Sequence, residues 1–250
     1  MRRGWLPGSK HSKDYIFLNI DFGVLAYIFG VMFGIGHLLS ESICRKLGKH
    51  RSLFISFTAG LSIAYLFLEL FPLLFQEGKQ VSEVVFLFVM LGFLLLFIFE
   101  KYVYQHSKLK LMAREISLLH AFGFFFYHLA VGIILVKLME LGWEKTALFF
   151  IPTFLYAVFG EVSINEISER VKENWVAKTL LVLSSLLGVG IARLIVISNG
   201  LYYVLLGFLV GGFTYLIVRD SLPRDKEGDL MGIVLGVTLY TFLILMLWIV

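Results

Sequence analysis

Residues 146–160 read TALFFIPTFLYAVFG, fifteen positions without a charge, and residues 161–166 continue as EVSINE. The first part is most of a membrane span, since a hydrocarbon layer about 30 Å thick takes roughly 20 apolar residues of helix. The second part puts the carboxylate of Glu161 inside the last third of that span. A charge near the centre of a membrane helix costs on the order of 2.5–3.5 kcal/mol, so Glu161 needs a partner, a water-filled cavity or a function.

The same apolar pattern recurs along the whole chain. Of 250 residues, 59% are hydrophobic and 16% charged, with 25 Phe and a mean hydropathy of +0.87, far more apolar surface than a soluble core of this length needs. Eight runs of span length are bounded by charged or turn residues, at approximately 17–39, 52–75, 83–103, 116–137, 146–168, 176–197, 201–218 and 231–250. The sequence therefore predicts an all-α integral membrane protein: eight transmembrane helices in one polytopic domain over 1–250, with a polar N-terminal segment at 1–15. The first run is long and has no small-residue cleavage site, so it reads as a retained span and not as a signal peptide.

Seven Lys and Arg fall on one side of this topology, Lys79, Lys137 and Lys145 among them, and fourteen on the other, including Arg45, Lys46, Lys101 and Arg219. The positive-inside rule makes the second side cytoplasmic and both termini extracytoplasmic, in a cytoplasmic membrane. A formal charge of +4 spread over loops, with no basic groove interleaved with aromatics, excludes nucleic acid as a partner. The single Cys44 rules out an intramolecular disulfide. Gly30/Gly34, Gly207/Gly211 and Gly232/Gly236 have the GxxxG spacing of close helix crossings, although glycine is common in membrane helices in any case.

Polar residues inside the runs are the candidates for function. Glu161 and Asn165 are four apart and share a helix face, a spacing that suits metal ligands and also interhelical hydrogen bonds. Glu69 ends the long apolar part of the second run. His120 and His128 stand two turns apart in the fourth, able to line one pathway but not to bind one ion together. Arg193 is read as the one cation deep in a span, and its pairing with Glu161 would answer the opening question with a buried ion pair. His37 and Asp21 are read as interfacial, and Glu166, Glu169 and Arg170 as the emergence of the fifth span into water. HExxH, GxSxG, Walker and CxxC motifs are all absent and the loops are short, so the chain is not read as an enzyme.

Several segments, taken in order, resemble the ZIP family of divalent metal transporters. Span 2, Phe57 to Pro72, is similar to that family's "aaG…lHllPe" helix, with Glu69 standing where His is usual. Gly92 to Lys101 resembles "GfllllllEk", Leu129 to Gly132 the end of "HNxxDGlaiG", and Gly211 to Pro223 "aGtflYval.dllPe". Essentially the whole chain is covered. The resemblance implies a single ZIP-like bundle of eight spans importing a divalent cation (zinc, iron or manganese) as substrate, with no prosthetic group. It names as partners the metal ions, the lipid bilayer and a second copy of the chain in a homodimer.

The metal motifs are where this sequence departs from the family pattern. Gly123, Phe124 and Tyr127 stand where span 4 should supply His, Asn and an acid. In span 5, residues 160–165 fall on "HEIPHE": Glu161 matches the first Glu, Asn165 replaces the second, and Gly160 and Ile164 replace the two His. The surviving candidate ligands are Glu161, Asn165, Glu69 and one of His128 and His120. Such an oxygen-rich set predicts Mn²⁺ or Fe²⁺ over zinc. The alternative is a ZIP-like frame that no longer transports and serves as a membrane partner or scaffold.

Overall fold

The computed structural model describes residues 22–78, 82–106, 113–159, 175–221 and 228–249, and every element longer than a turn among them is helical. The elements are α1 (Phe22–Leu47), α2 (Arg51–Tyr65), α3 (Val84–His106), α4 (Ala113–Leu141), α5 (Trp143–Phe159), α6 (Trp175–Leu194), α7 (Asn199–Ser221) and α8 (Leu230–Ile249). Helix α2 runs on to Gly78 through two π-helical turns, Leu66–Leu70 and Leu74–Gly78. Between them sits Pro72, which has no N–H to donate to the carbonyl four residues back, so the ladder shifts register around it.

Among the described residues four stretches, Arg45–Gly78, Val84–Tyr102, Asn199–Arg219 and Leu230–Trp248, are long and apolar enough to cross a bilayer; Val24–Ser40 and Val182–Leu194 are shorter apolar stretches. The surface matches them. Phe67, Ile98, Phe242 and Met246 are more than half exposed, an exterior that water would penalise and lipid would not. The chain is all-α, and its helices fit a multi-pass membrane protein.

Glycines set how these helices meet. In the pair α2 and α8, a methyl on Gly60 would strike the backbone of Ile233, and one on Gly236 the carbonyl of Phe57. In α3 and α7 the same holds for Gly92 against Phe208 and Gly211 against Val89; in α4 and α6, for Gly132 against Ser185 and Gly188 against Leu129. All three GxxxG motifs thus lie at real crossings, with Gly30 and Gly34 of α1 facing Leu186 and Val182 of α6. Three groups result. Helices α1, α4, α5 and α6 pack on one another, as do α2 with α8 and α3 with α7; α5 on α2, and α3 and α7 on α4, join the groups.

A proline also ties the groups together. Pro152 lies inside α5 and cannot donate to the carbonyl of Leu148. That carbonyl accepts instead from the hydroxyl of Tyr240 on α8, at 2.8 Å. Tyr240 is fully buried and its ring meets Tyr65 of α2 edge-on at 5.7 Å, so a helix defect in one group becomes an anchor in another.

Candidate functional site

Helix α1 continues eight residues past the end expected for the first span, to Leu47, and this moves His37 from a helix end to its interior. His37 stays close to the end of the apolar stretch Val24–Ser40, where it was expected, but it is packed inside the protein. It is 9% exposed and meets His128 of α4, itself 5% exposed, edge-on with ring centres 4.3 Å apart. Gly36 beside it packs under Phe154 and Val158 of α5, and Gly132, one turn after His128, packs against α6. Three neighbours thus enclose the imidazole pair: α5, α6 and the Tyr127 ring, which is buried next to His128 and against Gly212.

A second polar cluster lies at the basic-rich end. The carboxylate of Glu100, in the last two turns of α3, accepts from Arg219 Nη1 at 3.0 Å and from the Tyr215 hydroxyl at 2.8 Å. Arg219 Nη2 also reaches the Tyr156 hydroxyl of α5 at 3.4 Å. Both ions are about one-tenth exposed, so the guanidinium and carboxylate cancel each other away from water. This pair could not be read from the sequence, because Glu100 and Arg219 each sit at the end of an apolar run, where charges are ordinarily solvated.

The other candidates are scattered. Glu69 lies in the π-helical turn of α2, half-buried, with Trp248 of α8 and Lys145 of α5 as polar neighbours. These neighbours mark the end of the bundle opposite Glu100. Among the described residues no three His, Cys, Asp or Glu side chains converge to hold one ion. His120 is on α4, about 12 Å before His128 along the axis, with its side chain outside the described residues. Glu161 and Asn165 lie outside the described residues; the chain enters their segment directly after Phe159.

Arg193 is corrected. It is exposed in the last turn of α6, which ends at Leu194, and borders a cavity of about 220 Å³ that Lys137 and Glu140 also line. It is not a cation deep in a span. Lys137 and Glu140 pair with each other at 2.6 Å on the surface there. No protein-family model matches the chain, and no curated protein matches it.

Proposed function

We propose that the chain is a ZIP-like carrier in which all eight helices cross the cytoplasmic membrane and a divalent metal cation moves towards the basic-rich, cytoplasmic side. The observation that carries this reading is the imidazole of His128, buried in the middle of α4, the helix from which the resemblance draws metal ligands. Ionisable groups are expensive inside a membrane and mark substrate pathways when they occur there. Glu161 serves as the principal ligand with Asn165 beside it, and Glu69 attracts cations at the outer end. Alternating access comes from one group of helices moving against another.

Uptake of Zn²⁺, Mn²⁺, Fe²⁺ and Co²⁺ into liposomes holding the purified chain, with Glu161→Ala alongside, tests the proposal. Flux that depends on Glu161 supports it. Native protein that is folded but carries no ion above empty liposomes overturns it in favour of a ZIP-like frame that acts as a scaffold.

A further inference from the structure

We propose that His37 is a second imidazole ligand beside His128, so that α1 and α4 together grip a first-row transition-metal ion and prefer Zn²⁺ or Co²⁺ to Mn²⁺. The inference rests on the reading of His128 as a metal ligand and changes what that site selects.

The geometry is close to what a metal requires. Zinc–imidazole bonds of about 2.0–2.1 Å at a tetrahedral angle hold two ring centres about 5 Å apart. The rings of His37 and His128 are 4.3 Å apart and edge-to-face at 79°, so the pair opens by about 1 Å and one ring turns about its side-chain torsions for both to aim a nitrogen at one ion. The two rings come from different helices in the same four-helix group, and Gly36 and Gly132 let the neighbouring helices close around them.

Chemistry points the same way. A lone buried histidine is commonly a packed core residue, but two imidazoles brought into contact from separate membrane helices put two borderline-soft bases at one point. Imidazole favours Zn²⁺, Co²⁺, Ni²⁺ and Cu²⁺, whereas Mn²⁺ follows carboxylate, carbonyl and water oxygens. A pair of His supplies half of a tetrahedral shell and leaves two positions for water or for oxygen ligands, the open form that lets an ion arrive and depart.

The test uses tag-free protein in detergent, in a Cys44→Ser background, titrated with Co²⁺ and followed by visible absorption. The expected result is one Co²⁺ per chain, displaced by Zn²⁺ at far lower concentration than by Mn²⁺. Binding should weaken by more than about tenfold in His37→Phe and in His128→Phe, tenfold being the low end of what even an outer partner of a ligand costs. His37→Cys should restore binding with a new sulfur-to-cobalt charge-transfer band, which a merely structural role for His37 would not produce. Full-affinity Co²⁺ binding in folded His37→Phe, or no Co²⁺ binding by the native chain, overturns the proposal. Flux in liposomes separates it from the transport reading: transport that survives loss of both imidazoles sinks this inference alone, and Co²⁺ held by the pair without any flux sinks the transport reading alone.

Discussion

Glu100 with Arg219 and His37 with His128 are two polar pairs buried between helices of one apolar bundle, and they are built differently. The first joins an acid to a base that cannot lose its proton, and Tyr215 and Tyr156 add hydrogen bonds around the charges. The second joins two like groups, neither of which neutralises the other. An ion pair is complete within the protein, and a cation arriving there would have to displace the guanidinium. Two imidazoles bring a cation the same kind of nitrogen ligand from two helices. The difference separates a fastening in α3 and α7 from a receptive point in α1 and α4.

The sharpest way to break this comparison is to cut the fastening. Glu100→Ala leaves Arg219 buried without its carboxylate and should cost about 3–5 kcal/mol, seen as a large fall in melting temperature in detergent. Replacing both residues together, as Glu100→Leu with Arg219→Met, should recover most of that loss, because a buried ion pair and a packed apolar pair differ little in net stability. A second test acts on the receptive side. Gly132→Val would drive a side chain into the backbone of Ser185 and should cost roughly 1–3 kcal/mol, while Gly190→Ala, with no atom within 4 Å of the added methyl, should not destabilise the chain. Thermal unfolding of the two variants side by side checks that the glycine effect belongs to the crossing and not to helix propensity.

Smaller effects refine the picture. Tyr215→Phe removes one donor from the Glu100 carboxylate and should cost about 1.5 kcal/mol, the range for a hydrogen bond to a charged group. His37→Phe keeps a ring of similar size in the same place and should change stability by less than about 1 kcal/mol. Melting temperature should hardly move in that variant although Co²⁺ affinity falls. If His37→Phe proved as damaging to stability as Glu100→Ala, the two pairs would be alike, and the histidines would be a structural fastening as well.

Helix positions were legible because span length is a property of the bilayer, and a run of about 20 apolar residues is unmistakable in sequence. The errors came where helix and apolar run part company. The apolar stretch of α1 ends at Ser40, but the helix continues through Glu41 and Ser42 to Leu47, so its length could not be read from hydropathy. The reverse happened at Arg193: the apolar run continues through residues 194–197, but the helix stops at Leu194 and leaves Leu194 and Val196 exposed at the bundle's end. The Glu100–Arg219 pair was invisible because its partners are 119 residues apart and only the parallel packing of α3 on α7 brings them together. The glycine spacings were legible for the opposite reason, since a small residue every fourth position requires no knowledge of which helix will approach.

The account turns on whether metal passes through the group of helices that holds the imidazole pair. The initial rate of Zn²⁺ entry into proteoliposomes, compared between the native chain and the double variant His37→Phe with His128→Phe, measures this directly. The account predicts a saturable rate well above empty liposomes for the native chain and its loss in the folded double variant. Equal rates in the two would contradict it, and so would a native chain that remains folded in the bilayer and admits no zinc.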